Sequence, residues 1–409
     1  MEALVMGWYV LTLTDNPFLV GLTWTARMSL NIFALFAGAI ADRLPRNRIL
    51  AAVEFIIAIL GVIMIALILS GHIQVWHIFG VAMAAGVVRV FQMPTAQSLV
   101  ADTLPQERIG NGAAFNSVGM NLAMLLGPLI GGVLFKSYGP EGAYAMITGL
   151  YCLSGFAALS IRLDKKPATA GREPVLRSII SGLKYVKGEQ IIWGTLMVAI
   201  IIEFFGWTFH TSLIPSFARD VLGTDSAGLG VLMFAFGAGS MTAALLLPRV
   251  LDALPDRPVM FGGAALMVAT LLGLGATVLT AGLGWFILLG AWLLVGLGYS
   301  AVLTPSGRLL RRSAHAGDRP ALFAAQFALS HACWLVTYPL SGWLLTPFLQ
   351  NAGMETVMRM RKRVLDNLTT TFKSDYAKTV TLEGMLEKDA VLQYRQMRTG
   401  EKYLVTPHG

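Results

Sequence analysis

Charge is scarce in this chain. Asp, Glu, Lys and Arg together make up 13% of its 409 residues, about half the share of a soluble domain. Cysteine is nearly missing as well. Cys152 and Cys333 both fall inside apolar stretches, which excludes a disulfide framework. No G-x-x-x-x-G-K-[ST] phosphate loop occurs, so nothing marks the chain as an ATP-driven pump. Residues 1–13 are apolar but have no basic stretch before them and no small-residue cleavage site after them, so they do not read as a signal peptide. The net charge of +8 is not a nucleic-acid footprint, because the basic residues sit in short loops without interleaved aromatics.

What is abundant is long apolar sequence, with a mean hydropathy of +0.65. About 20 apolar residues cross a bilayer as a helix. Runs of that length lie at 18–40, 49–70, 76–99, 111–135, 142–162, 191–216, 226–248, 258–280, 283–305 and 321–346. They are unbroken, whereas a membrane barrel shows alternating segments of about ten residues. Residues 1–13 are too short to span. The fold class is therefore an all-α polytopic membrane protein of about ten full spans and a partial first helix.

The basic residues orient it. Alternate loops at 41–48, 100–110, 162–190, 249–257 and 306–320 hold 17 Lys and Arg; the opposite loops hold Lys136 and Arg219 alone. Basic loops face the cytoplasm, so the first set is inside. Arg27 and Arg89 lie within spans, and ten further Lys and Arg follow residue 350.

The chain also repeats. "TDNPFLVGL" at 14–22 parallels "TDSAGLGVL" at 224–232, and "DRLP" at 42–45 parallels "DALP" at 252–255, both offset by 210. Pro94 and Pro305, Pro128 and Pro339, Gly131 and Gly342 are offset by 211. One shift across separate segments means two related halves in the same membrane orientation. Residues 1–162 form the first half and 191–348 the second. Residues 163–190 form a cytoplasmic linker in which Leu176, Ile179, Ile180 and Leu183 keep helical spacing, as in an amphipathic surface helix. Residues 349–409 are a polar tail with ten basic and seven acidic residues. The repeat register leaves the first helix about twenty residues short and the twelfth span missing, which points to a late start or a truncation.

On these residues, 1–348 resembles the major facilitator superfamily. "GAIADRLPRNR" at 38–48 is similar to its loop signature G-x-x-x-D-R-x-G-R-R, matched at Gly38, Asp42, Arg43 and Arg46; Pro45 and Asn47 depart from it. A second signature, G-x8-G-x3-G-P-x2-G-G, is associated with antiporters in that family. Here Gly127, Pro128, Gly131 and Gly132 match, with Ala114 and Ala123 in place of the first two glycines. The wording of 7–50 and 86–132 looks closest to the bacterial exporter branch of enterobactin-exporter-like and macrolide-efflux-like proteins. The resemblance implies a two-half helical bundle in the bacterial inner membrane. It implies proton antiport of a small amphipathic compound, drug or siderophore, by alternating access. No enzyme activity and no cofactor go with it.

Elementary chemistry assigns roles to the candidates. Asp42, at the inner end of the second span, can accept from a neighbouring helix N-terminus and from Arg43 or Arg46, a contact that breaks when the halves rock apart. Gly38, one turn earlier, lets helices cross closely. Pro128 removes a backbone donor beside Gly127, making a bendable seam with Gly131 and Gly132.

Charge inside a span costs roughly 2.5–3.5 kcal/mol at a helix centre, so each instance is a candidate. Arg89 either attracts an anionic substrate group or pairs with a carboxylate. Glu203 has His210 two helical turns on, a carboxyl and an imidazole on one face suited to proton coupling. Glu54 reads as interfacial and Arg27 as lying near the outer end. Phe204, Phe205 and Trp207 flank Glu203 as an apolar wall or as lipid-facing packing. His331 and Cys333 are two apart and do not share a helix face.

Three other readings remain open. His210, His331, Cys333 and Glu203 would serve divalent metal efflux. A non-transporting membrane scaffold would bind a protein partner through 349–409, and a degenerate transporter would do neither. Arg359, Arg361, Lys362 and Arg363 follow the last span closely, although that end belongs outside by the loop count.

Overall fold

The computed structural model describes residues 1–29, 45–105, 108–161, 187–280, 285–313 and 332–343, with isolated positions at Lys184, Leu322, Gln326 and Leu329. Among these residues the chain is helical throughout, without strands. The chain divides into two compact units, 1–342 and 343–409. The loop carrying Gly38, Asp42 and Arg43, most of the linker, and the tail lie outside the described residues.

The first half opens with α1 (Glu2–Thr14) and α2 (Pro17–Ser29). Asp15 between them takes a left-handed conformation, φ 50°, and its N–H closes α1 on the Leu11 carbonyl. Asn16 then accepts from the Phe18 N–H at 3.0 Å and opens α2. Leu4, Val5, Met6, Trp8, Tyr9, Val10 and Leu11 are all buried. A helix buried on every side belongs to the centre of a bundle, and α1 runs between the two halves.

The run at 49–70 becomes α3 (Arg46–Leu69), begun by Pro45 at its N-cap. The run at 76–99 becomes two helices, α4 (Val75–Arg89) and α5 (Gln92–Thr103), joined by a turn at Val90 and Phe91. Pro94 sits in the first turn of α5, where its missing N–H has no helical acceptor to lose.

The runs at 111–135 and 142–162 merge into α6 (Ile109–Ser160), broken at Gly139 with φ 71° and ψ −179°. Only glycine occupies that region readily. The expected irregularity at Pro128 is absent: φ and ψ stay helical there and depart at Gly139. Pro128 deprives the Met124 carbonyl of its helical donor without turning the backbone out of helical geometry, whereas Gly139 precedes Pro140, which disfavours helical geometry in the residue before it.

The second half begins with α7 (Gln190–Ile202). The chain then widens into π-turns at Glu203–Trp207, Phe209–Leu213 and Phe217–Val221, around a helical turn Ile214–Ser216. Pro215 explains the disturbance in part, because it cannot donate to the carbonyl four residues back and its ring presses on that turn. Three long helices follow: α8 (Ser226–Ala253), α9 (Asp256–Thr280) and α10 (Trp285–Ser313). The segment 332–343 is helical. Five described helices are long and apolar enough to cross a membrane, and three shorter apolar ones accompany them.

Glycines let the halves meet backbone to backbone. A Cβ on Gly132 would strike the Ser226 carbonyl, and one on Gly230 would lie 2.8 Å from the Pro128 carbonyl. Ser226 Oγ donates to the Gly132 carbonyl at 2.9 Å. On the other side of α1, a Cβ on Gly21 would strike the Tyr338 carbonyl, and Gly342 is held as tightly against Pro17. These two seams correspond: Gly132 and Gly342, Pro128 and Pro339, Gly230 and Gly21 each differ by 210 within one residue. Small residues driving close helix approach are the usual basis of packing in lipid.

Candidate functional site

The deepest polar structure lies inside the first half. Arg89, the last residue of α4, donates to Glu2 of α1 and to the Tyr151 hydroxyl of α6. Arg27 of α2 donates from Nη1 to the other Glu2 oxygen at 3.2 Å. The Tyr151 hydroxyl donates to Glu2 Oε2 at 3.0 Å. Glu2 therefore accepts from three donors on three different helices.

The network continues through Arg89 Nη1 to Gln92 Oε1 at 3.5 Å, and from Gln92 Nε2 to Glu54 Oε1 at 2.8 Å. Ring faces line the cations: the Arg27 guanidinium carbon lies 5.6 Å from the Trp24 ring centroid, and that of Arg89 5.3 Å from Tyr151. Each such contact contributes about 0.5–2 kcal/mol.

Depth follows from helix rise. Glu2 is thirteen residues from Asp15, about 20 Å along α1 at 1.5 Å per residue. Arg27 is ten residues into α2, about 15 Å deep, near the middle of a hydrocarbon layer about 30 Å thick. Its reading as an outer-end residue is therefore corrected. Glu54 is corrected too: it is 4% exposed and bonded to Gln92 rather than interfacial. Arg89 pairs with a carboxylate, one of the two roles open to it. Beside the cluster, a small cavity is lined by Glu2, Met6, Gly61, Met64, Ala82 and Tyr144.

Glu2 is the partner that sequence reasoning missed. It lies at the edge of the apolar stretch, where nothing before it identifies the position as buried. The signals that were available are the i, i+3 pairing of Arg89 with Gln92 and the need of two intramembrane arginines for a counter-charge.

In the second half Glu203 opens the first π-turn, an irregularity frequent at functional positions. Tyr299, Cys333 and Tyr338 lie within reach of its charge. Trp207 stacks on Tyr299 at 5.9 Å, and Phe236 meets the same ring at 5.6 Å. Hydroxyls tie this region to 332–343: Thr208 Oγ1 donates to Thr337 Oγ1 at 3.0 Å, and Ser212 and Ser341 share a bond of 2.8 Å. Tyr338 stacks on Trp24 of the first half at 5.8 Å.

The side chains of Phe205 and His210, and His331 altogether, lie outside the described residues, as does the side chain of Ala114. Among the described residues no group of three metal-ligating side chains occurs. Of the loop signature, Arg46 is described, at the start of α3, and next to it Asn47 Nδ2 donates to the Ile161 carbonyl at 2.9 Å. Of the antiporter-type residues, Gly132 on Ser226 and Pro128 against Gly230 form part of the seam, while Gly127 and Gly131 face Met1 of the same half.

Comparison with known proteins agrees with this architecture. The family model of the transmembrane secretion effectors matches residues 1–305. The staphyloferrin A transporter of Staphylococcus aureus is 24% identical over 253 residues, covering 60% of this chain and 62% of that protein. The multidrug resistance protein MdtG of Enterobacter lignolyticus is 26% identical over 240 residues, 58% of this chain and 55% of that protein. Both matches span less than two thirds of the relatives' length. Among solved structures, a bacterial homologue of the lysosomal transporter Spinster aligns with TM-score 0.61 at 15% identity, covering 98% of this chain and 91% of that one. A D-xylose–proton symporter aligns with TM-score 0.61 at 15% identity, covering 85% and 94%.

Proposed function

The chain belongs to the transmembrane secretion effector family of the major facilitator superfamily, and we propose that it exports a small amphipathic compound in exchange for protons. The names of the relatives, a siderophore transporter and a multidrug resistance protein, support the drug or siderophore class. The observation that carries the proposal is the buried Glu2–Arg27–Arg89–Tyr151 network. A protonatable carboxylate holding two fixed cations in lipid is a means of converting proton binding into helix movement.

Ionised Glu2 draws Arg27 and Arg89 together. Two guanidiniums on one carboxylate keep it ionised, so separation comes first: water or an anionic substrate group reaches the arginines, the helices carrying them part, and Glu2 then takes up a proton. Once it is neutral the cluster does not re-form, because two guanidiniums at low dielectric repel strongly. Glu203 is a second coupling candidate in the other half, a few residues before the hydroxyl ladder that joins Thr208 and Ser212, beyond α7, to 332–343. Asp42 is the candidate gate at the inner face, and Gly127, Pro128, Gly131 and Gly132 the pivot on which the halves slide.

The experiment separates coupling from transport. In proteoliposomes with an imposed pH gradient, ethidium efflux is expected to need the gradient and to stop on adding a protonophore. Glu203→Gln is expected to lose gradient-driven efflux while keeping substrate exchange between equal pools, as befits a residue that carries protons rather than substrate. Asp42→Asn is expected to slow both. Gradient-driven efflux of parental rate in Glu203→Gln removes Glu203 from the coupling path.

A further inference from the structure

The loops that the charge bias places outside hold just two cations, Lys136 and Arg219. Outer loops avoid basic residues, so the simplest expectation for two survivors is that they are solvated. Both are instead engaged across the boundary between the halves. Arg219, beyond α7, pairs through Nη1 with Asp15 of the first half at 2.8 Å. The same nitrogen donates to the Leu11 carbonyl at 2.8 Å, at the negative end of the α1 dipole. Lys136, at the outer end of the first part of α6, pairs with Asp225 of the second half at 2.7 Å.

The two carboxylates are related by the internal repeat. Asp15 and Asp225 both follow threonine, 210 residues apart; Asp225 stands immediately before α8, and Asp15 stands before the start of α2 at Pro17, with Asn16 between. Each accepts from a cation of the opposite half. Asp225 also caps α8 by accepting from the Gly228 N–H at 3.0 Å. Lys136, and after it that N–H, hold its carboxyl below the usual carboxylate range. Ser216, buried, stands three residues before Arg219, with the buried Ile214 two residues further on, and the tight seam at Gly132 is four residues from Lys136.

We propose that Asp15–Arg219 and Lys136–Asp225 form a two-point latch that holds the outer face shut and must open for export. The proposal rests on the transport reading above, but its test does not require a transported compound. No other contact joins charged groups of the two halves among the described ion pairs, so the latch offers a bias that can be removed without touching the seam beneath it.

The test measures access to a thiol placed under the latch. Ser216→Cys is introduced with Cys152→Ala and Cys333→Ala, and its modification by a membrane-impermeant maleimide added from outside is timed in intact cells. Partners are replaced by neutral polar side chains: Asp15→Asn, which keeps tolerance of the left-handed backbone, Asp225→Asn, which keeps a capping side chain, Arg219→Gln and Lys136→Gln. Each single change is expected to raise the modification rate about five-fold, equivalent to about 1 kcal/mol at the upper end for a partly exposed ion pair. Both changes within one pair are expected to do no more than either alone, while breaking the two pairs together multiplies the effects. Rates within two-fold of the parent, or effects that multiply within a single pair, overturn the latch. Such a result leaves the export proposal standing, because proton-driven efflux is measured separately.

Discussion

Glu2→Gln is expected to abolish gradient-driven efflux and to lower the stability of the detergent-solubilised protein by about 3–5 kcal/mol, the usual consequence of stripping a buried ion pair of one partner. The variant keeps the shape of the side chain and one acceptor oxygen, so the loss comes from charge. Arg27 and Arg89 both bond Glu2, and with the carboxylate gone two guanidiniums remain close together in the bundle.

Removing one of those cations as well should recover stability. Glu2→Gln with Arg89→Gln is expected to be more stable than Glu2→Gln alone by roughly 2 kcal/mol, a coupling of the size seen for contacting charged groups, while efflux stays at background. Thermal unfolding of the singles and the double, followed by tryptophan fluorescence, reads the cycle. A double variant less stable than either single would mean that the residues contribute independently and that Glu2 is no counter-ion.

The second large effect is expected at the seam between the halves. Gly132→Ala places a methyl group against the Ser226 carbonyl, a backbone atom that cannot rotate away. Overpacking of this kind costs about 1–3 kcal/mol. Because the clash exists only while the outer face is shut, the cost should fall on that state and favour the open one. Gly342→Ala, pressed on Pro17 at the corresponding place in the repeat, should act in the same direction. Gly149→Ala, with nothing within 4 Å of the added carbon, is the control and should be silent. Impermeant maleimide reaching Ser216→Cys faster in the first two variants, and unchanged in the third, is the expected pattern. Equal rates in all three would show that the seam does not oppose opening.

The sequence made the helices legible because lipid permits little else: an unbroken apolar run of the right length has one stable way to cross. The seams were half legible. Gly131, Gly132 and Gly342 stood out by spacing, yet which backbone each would meet depended on the packing of distant helices. Gly139 was hidden for a different reason. It separates two apolar runs, and a single residue with positive φ is invisible to hydropathy.

The charged cluster divides along the same line. Arg89 was conspicuous as an expensive residue deep in a span. Glu2 was not, because burial at the edge of an apolar stretch is decided by the helices around it. Glu54 and Arg27 were misplaced by counting from the ends of runs rather than of helices. The π-turns after Glu203 leave no hydropathy signal; Pro215 is the one residue type that hints at an irregularity, and it lies beyond the first two of them.

The central claim is that the two halves rock about this core, opening one face as the other closes. Double electron–electron resonance between spin labels tests it most directly. One pair, at Trp76→Cys and Phe286→Cys, spans the halves at the outer ends of α4 and α10, where both side chains are exposed. Another, at Leu159→Cys and Leu254→Cys, spans the inner ends of α6 and α8 at exposed positions. On acidification in lipid nanodiscs, the account predicts a new population in which the outer distance lengthens while the inner distance shortens. Distances that remain fixed at both faces, or that lengthen together, would contradict it.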